Sequence, residues 1–268
     1  LELHRPFVDE VTFEREGKLF RRVPYTVDVW FESGAMPYAQ WGYLGTEATP
    51  EAHAKIERFF PADYICEAID QTRGWFYSLL AEATLLFDQS SYRTVLCLGH
   101  IVDEHGKKMS KSAGNILDPW ELIERHGADP LRWLMFAEGN PWQNRRVGHH
   151  LLEDVVRQFL LTLWNTHVFF TTYARIDGFA LDQPAPAVAD RPASDRWVLA
   201  ELAALVDTVD TALDGYDVST ATRALERFVD DLSNWYVRRN RRRFWRAVDD
   251  EPADKLAAYD TLHTCLTT

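Results

Sequence analysis

Cysteine is scarce. Three stand in 268 residues, Cys66, Cys97 and Cys265, and none has the close spacing of a metal knuckle or a disulfide framework. A disulfide-stapled secreted scaffold is excluded, and a reducing, cytoplasmic setting is expected. Long apolar runs are lacking too: nothing approaches the ~18 residues of a membrane span, and no stretch reads as a secretory leader. Basic charge is in deficit, with 29 Lys and Arg against 41 Asp and Glu and a formal net charge of −12. That excludes a protein coating nucleic acid with its whole surface and leaves room for a local basic patch. Internal repeats and low-complexity tracts are missing. The chain opens in mid-pattern at Leu1 and closes in a helical pattern at Thr268, so a fragment of a longer protein is expected.

What is present is ordinary in bulk, with 46% hydrophobic and 26% charged residues, enough for one large domain or two medium ones. Ten Trp and fifteen Phe predict well-filled cores and aromatic-lined pockets. Residues 1–27 read as short strands around a turn at Glu16-Gly17, and Thr26 to Gly34 reads as a strand ending in a loop. A polar surface helix is expected over 46–58. Pro61 to Asp70 reads as a strand running into a turn, Thr72 to Phe87 as a helix with a wide apolar face, and Thr94 to Val102 as one buried parallel strand. Strand, helix and strand make a βαβ unit, hence an α/β doubly wound, Rossmann-like sheet with ligands beyond its strand ends. Asp118-Pro119 and Asp129-Pro130 each read as a cap followed by proline at the first helical position, with stops at Gly127 and Gly139. Beyond His149 the pattern is all-α: a helix over about 149–174, a Pro/Ala-rich linker from Gly178 to Pro192, then helices over about 194–213, 218–247 and from about 253. Ala221, Leu225, Phe228, Leu232 and Trp235 recur at 4-3-4-3 spacing, a bundle seam. The expected division is 1–145 and 146–268.

The most informative stretch is Gly99 to Asn115, GHIVDEHGKKMSKSAGN. Gly106 and Gly114 bracket Lys107, Lys108 and Lys111 with the hydroxyls of Ser110 and Ser112, and only Met109 can pack. Such a loop is either a solvated basic surface or a mobile flap for a polyanion such as a triphosphate. Lys108 to Ser112 spell KMSKS, a string that resembles the signature loop of class I aminoacyl-tRNA synthetases. Val29-Trp30-Phe31-Glu32-Ser33-Gly34 is similar to a VWFDSG segment, and Glu67 to Phe76, EAIDQTRGWF, to an EG(S/I)DQxRGWF segment, both of the isoleucyl-tRNA synthetases. The resemblance covers most of the chain. It implies an aminoacyl-tRNA synthetase, an ATP-dependent ligase joining isoleucine to its tRNA through an isoleucyl-adenylate, monomeric, with ATP, Mg²⁺, isoleucine and tRNA(Ile) as partners.

By the same resemblance, Lys108 and Lys111 neutralise the phosphates, and Glu67, Asp70, Gln71, His100, Met109, Ser110 and Ser112 join them around ATP and the adenylate. Trp30, Gln71 and Trp75 line the aliphatic amino-acid pocket. From the residues alone both tryptophans read first as plain core, Asp70 fits a helix N-cap, and His100 fits a structural role as well as a site. Ser233 to Arg246, SNWYVRRNRRRFWR, resembles a stretch of the anticodon-binding domain. Its six arginines circle the helix at ~100° per residue, so only some can face RNA. Arg238, Arg241, Arg242 and Trp245 are the candidate tRNA contacts. The seam is expected nearer Arg239 and Arg242 than Arg241, and at least half of the arginines are expected to bridge the two domains through salt bridges. Arg238, Arg242 and Arg246 share one face, Arg239 and Arg243 a neighbouring one.

Three departures from the family pattern stand out. Ala68 replaces a glycine, so a methyl could crowd the adenylate. Residues 9–22 hold no Cys, so no zinc is expected there. The HIGH-type motif and the editing insertion belong upstream, so this chain holds only part of an active site. A catalytically degenerate tRNA-binding relative, or a valine or leucine enzyme, are the alternatives.

Overall fold

A computed structural model describes residues 4–25, 29–43, 45–247 and 250–268. The chain divides into two compact units, Leu1–Cys97 and Leu98–Thr268.

In the first unit, β1 (Thr12–Arg15) and β2 (Lys18–Arg21) form an antiparallel hairpin in which Phe13 faces Phe20. Its turn falls at Glu16 and Gly17, both at positive φ (54° and 72°), as a two-residue hairpin loop of this hand requires. The strand expected over Thr26–Gly34 is corrected. Thr26 to Asp28 lie outside the described residues, and Val29–Gly34 is a helix, α1. Its β-branched and aromatic residues suit a strand only where a pleated partner surface exists. Here Gly34 instead lets α1 lie against a later helix: a Cβ at Gly34 would sit 2.3 Å from Glu82 Oε1.

The short α2 (Met36–Ala39) follows, then α3 (Pro50–Phe59), which is the expected surface helix. The Thr49 hydroxyl caps α3 by accepting from Ala52 N at 3.2 Å. β3 (Ala62–Ala68) runs into one 3-10 turn, Ile69–Arg73, and then α4 (Trp75–Phe87). β4 (Tyr92–Leu98) is the hydrogen-bonded neighbour of β3. Ile56 and Phe60 from α3 and its C-cap pack with Ala83 of α4.

The single buried strand expected over Thr94 to Val102 is corrected too. No residue of β4 is fully buried, and β4 stops at Leu98. After Gly99 and His100 the separate β5 (Ile101–Asp103) pairs in parallel with β6 (Arg145–Val147). The break comes where the backbone of 99 meets that of 143–144: a Cβ at Gly99 would lie 2.2 Å from the Gln143 carbonyl oxygen. β6, three residues reading Arg-Arg-Val, is too short and too charged to leave a periodic signal.

α5 (Pro119–His126) begins at its Asp118 cap, with Asp118 Oδ1 accepting from Trp120 N at 2.9 Å, and stops at Gly127, φ 94°. α6 (Ala128–Ala137) starts one residue before the expected Asp129 cap, so Asp129 lies inside its first turn and pairs with Arg132. α7 (His149–Val155) continues through a π-helical turn, Val156–Leu160, into α8 (Leu161–Asp177), which is the long helix expected. The linker is mostly irregular but is pinned at its end by buried Arg191, which pairs with Asp260 at 2.6 Å and donates to Thr261 at 2.9 Å. α9 (Ala193–Asp214), α10 (Val218–Asp230), α11 (Arg238–Trp245) and α12 (Pro252–Thr267) complete the unit.

With α8 these helices enclose a core of Val198, Leu202, Phe228, Leu232, Tyr236, Phe244, Tyr259 and Leu262. The seam holds to Leu232 and then fails. Trp235 is half exposed, at 50%, and Tyr236 is buried in its place. The cause is a π-helical turn, Asp231–Val237, which inserts an extra residue and turns all later positions around the axis.

Candidate functional site

The lysine loop lies in the second unit and is framed by two side chains. Asp103, at the end of β5, is buried. Its Oδ1 accepts from the backbone N–H of His105 at 3.0 Å and of Lys107 at 2.8 Å, and its Oδ2 from Asn115 Nδ2 at 2.8 Å. The bond from Asn115 first, and that from Lys107 next, hold the Asp103 carboxyl below its ordinary range. Asn115 in turn accepts from Ser110 N at 3.0 Å and donates to the Lys108 carbonyl at 3.2 Å. Val102 of β5 bridges Lys108 on the returning limb. The loop is therefore gripped at both ends.

Ser110 and Ser112 meet at 3.2 Å, and Ser110 Oγ accepts from Ala113 N at 3.2 Å, so the hydroxyls shape the turn. Met109 is half-buried. Lys107, Lys108 and Lys111 are exposed and, among the described residues, have no carboxylate partner. Three cations on a turn held by a buried carboxylate suit a polyanionic ligand. His100 is exposed and held by its backbone: its N–H donates to Asn144 Oδ1 at 3.1 Å, and its carbonyl accepts from Arg145 N at 2.9 Å.

In the first unit, Trp30, Gln71 and Trp75 come together around Gly74. A Cβ there would stand 2.9 Å from Gln71 Oε1 and 3.3 Å from Trp30 Cη2. Gln71 Oε1 accepts from Trp75 N at 3.0 Å, which makes Gln71 rather than Asp70 the group that caps α4. Asp70 Oδ2 accepts from Gln71 Nε2 at 3.0 Å and so orients the amide. Trp75 Nε1 donates to the Ser33 carbonyl at 3.0 Å, which locks the start of α4 to α1. Neither tryptophan is a fully buried core residue: Trp30 is 46% exposed and Trp75 half-buried. Glu67, near the end of β3, and Asp70, in the 3-10 turn after it, are both exposed. Ala68 sits at φ −74°, ψ 161°, ordinary extended backbone where a methyl causes no strain.

The arginine helix turns differently from the expectation. Its buried face carries Asn240, Arg243 and Phe244, while Arg238, Arg239, Arg241, Arg242, Trp245 and Arg246 are exposed. Arg243 binds fully buried Asp195 of α9 through two bonds, the Nη2–Oδ2 one at 2.8 Å, and pairs with Asp254 of α12 at 2.8 Å. Burial opposes its charge, but these carboxylates outweigh that and raise its pKa. Arg246 pairs with Glu251, and Arg239 stacks over Trp235 at 4.2 Å. Two of the six arginines thus carry ion pairs among the described residues, fewer than the half expected, and Arg243 ties helices of one unit to each other. The same unit holds an apolar cavity of about 640 Å³ among Trp133, Phe159, Leu202, Phe228 and Cys265. Its apolar lining, which includes no lysine-loop residue, does not suit a polyanion.

Asp103, Asn115 and Gly74 escaped the sequence reading. An Asp that ends an apolar strand three residues before a glycine was the available signal for a side-chain-closed turn.

Known proteins resemble this chain along most of its length. The model for tRNA synthetases class I (I, L, M and V) matches residues 2–146, and that for the anticodon-binding domain of tRNA ligase matches 195–268. An isoleucine–tRNA ligase of Thermobifida fusca is 54% identical over 100% of this chain and 26% of its own length. That of Deinococcus radiodurans is 53% identical over 99% and 24%. The chain therefore spans about a quarter of these relatives. Among solved structures, a LeuRS–tRNA–LeuAMS ternary complex from Agrobacterium radiobacter K84 superposes with a TM-score of 0.70 at 16% identity, covering 95% of this chain and 32% of that one. Methionyl-tRNA synthetase of Mycobacterium tuberculosis with methionyl-adenylate gives 0.68 at 20% identity, covering 88% and 44%. At such identities the likeness concerns the fold alone. Since the first model spans just over half of the residues, the chain belongs to the class I tRNA synthetases (I, L, M and V).

Proposed function

We propose that the chain is part of a cytoplasmic, monomeric isoleucine–tRNA ligase that joins isoleucine to tRNA(Ile) through an isoleucyl-adenylate. Residues 1–145 supply the C-terminal half of its Rossmann-like catalytic domain, and 146–268 a helical anticodon-binding bundle. The observation that carries this reading is 54% identity to an isoleucine–tRNA ligase along the whole chain. Among the described residues no helix is long and apolar enough to cross a membrane.

MgATP enters as substrate. The isoleucine carboxylate attacks the α-phosphate and pyrophosphate leaves; a terminal ribose hydroxyl of tRNA then attacks the adenylate. Neither step needs a covalent bond to the protein, so the residues position groups and stabilise charge. Lys111, with Lys108, stabilises the departing pyrophosphate, and their exposed ammonium groups on a framed loop support that role. Met109, Ser110, Ser112 and His100 line the nucleotide side. Trp30 and Trp75 give flat apolar walls for the aliphatic side chain, held by Gln71. Glu67 and Asp70 hold the ammonium and ribose hydroxyls. Arg238, Arg241, Arg242 and Trp245 contact tRNA. Discrimination by one methylene is weak, with the isoleucine enzyme itself the standard illustration.

The test is amino-acid-dependent ATP–pyrophosphate exchange by the full-length protein. Isoleucine should support it far better than valine or leucine. No exchange with isoleucine, or a preference for another amino acid, would overturn the reading.

A further inference from the structure

Arg146 belongs to no motif considered above. It lies in β6, opposite Val102 of β5, and Val102 is bridged on its other side by Lys108. Lateral neighbours in a ladder project from the same face, so Arg146 and Lys108 flank Val102 on one face, roughly 10 Å apart at the backbone. The Arg146 guanidinium reaches over the turn of the lysine loop: Nε, Nη2 and Cζ lie 3.6, 3.8 and 3.9 Å from where a Cβ of Gly106 would be. Gly106 has φ 79°, which favours glycine, and the guanidinium passes beside it at a distance where even a Cβ would be in ordinary contact. Arg146 is exposed, and among the described residues its side chain has no ion pair or hydrogen bond. Neighbouring Arg145, by contrast, is buried and donates to the Glu138 carbonyl at 3.5 Å.

A guanidinium with open donors over the loop turn, beside three lysines that also have no carboxylate partner among the described residues, is a cation available to an anion. Arginine suits this task because its planar fork can grip two oxygens of one phosphate. We propose that Arg146 is a further substrate-binding residue of the lysine loop and grips the β,γ-phosphates of ATP, the departing pyrophosphate, together with Lys108 and Lys111. This rests on the ligase reading above and adds to it a residue outside the KMSKS string.

The test uses the full-length protein with Arg146→Ala and Arg146→Lys. In isoleucine-dependent exchange, Arg146→Ala should raise the KM for ATP and for pyrophosphate about five- to tenfold, as loss of a charge-assisted bond predicts. The KM for isoleucine and the melting temperature should stay unchanged, and Arg146→Lys should recover part of the loss. Unchanged KM values for both phosphate ligands would overturn the assignment. So would equal impairment of both variants with a lowered melting temperature, which marks a packing role. Normal exchange with weakened tRNA binding would move Arg146 to the RNA and overturn it as well. Failure of exchange in the unsubstituted protein would sink the ligase reading alone. Titration calorimetry with inorganic pyrophosphate then reads Arg146 directly, and equal dissociation constants for the parent and Arg146→Ala would overturn the proposal.

Discussion

Lys111 and Gly74 carry opposite kinds of expectation. Lys111 acts through charge that is needed most as the leaving group develops its own, so its effect belongs to the transition state. Lys111→Ala in the full-length protein should slow adenylate formation by two orders of magnitude or more while isoleucine binding changes little; rapid-quench adenylation measures it, and an unchanged rate would remove Lys111 from the mechanism. Gly74 acts through space. A methyl there would meet Gln71 Oε1 at 2.9 Å and Trp30 Cη2 at 3.3 Å and push apart the cluster proposed to hold the amino acid. Overpacking of this size costs about 1–3 kcal/mol, so Gly74→Ala should raise the KM for isoleucine about tenfold or more, with the KM for ATP little changed. An equal rise in both would show that the cluster does not line the amino-acid pocket. Asp103 left a local signal in its place before Gly106, but Asn115 left none, because its bonds to Lys108 and Ser110 exist only once the loop has closed on itself.

α11 shows how one local irregularity redirects an element. The π-helical turn Asp231–Val237 places Tyr236, Asn240 and Arg243 inward, so Arg239 and Arg242 are exposed together with Arg238 and Arg241. Arg241 remains the proposed centre of an RNA-facing stripe. Arg241→Ala should weaken tRNA binding and lower the magnitude of the log–log salt slope by roughly 0.7–0.9, the signature of one phosphate contact. Filter binding between 50 and 200 mM salt measures it, and an unaltered slope would refute that orientation.

A second element-level expectation concerns α5 and α7. His126 Nε2 and His149 Nδ1 are 2.8 Å apart, a contact that needs a lone pair on one ring. Burial first, then the charges of His149 and Arg125, lower the His126 pKa from its ordinary 6.5, while Glu153 opposes them. The folded state therefore binds its proton less readily than the unfolded chain, and stability falls as pH drops through about 6.5 toward the lowered value. The melting temperature should decrease between pH 7.5 and 5.5, and His126→Asn should flatten that dependence; parallel curves for the two proteins would disprove it.

The 268-residue chain on its own should show no isoleucine-dependent exchange, since the resemblance places half of the nucleotide site upstream. The full-length protein should show it under the same assay, and activity of the isolated chain would mean that its share of the site is larger than proposed. The surface charge has a related consequence. At a formal −12 the chain as a whole repels RNA, so the proposed tRNA binding should depend on the local basic face of α11 and be steeply salt-dependent.

Local chemistry was legible in the amino-acid order wherever it depends on near neighbours. The hairpin turn at Glu16-Gly17, the cap at Asp118, the stop at Gly127, the boundaries of α9 and the starts of α10 and α12 follow from side-chain type and spacing. KMSKS marked its loop by its resemblance to a signature string, since three lysines between two glycines fit a solvated surface as well. Long-range encounters decided the rest. Val29–Gly34 is helical because Gly34 can approach Glu82, forty-eight positions later. The strand expected over Thr94 to Val102 breaks because the 143–144 backbone crosses at Gly99, and Arg146 reaches the lysine loop only through the β5–β6 pairing. Arg243 is buried because Asp195 and Asp254 meet it there, whereas its five sister arginines look the same in sequence and lie outside. A buried charge needs a partner brought from elsewhere in the chain, and no local pattern records which arginine will find one.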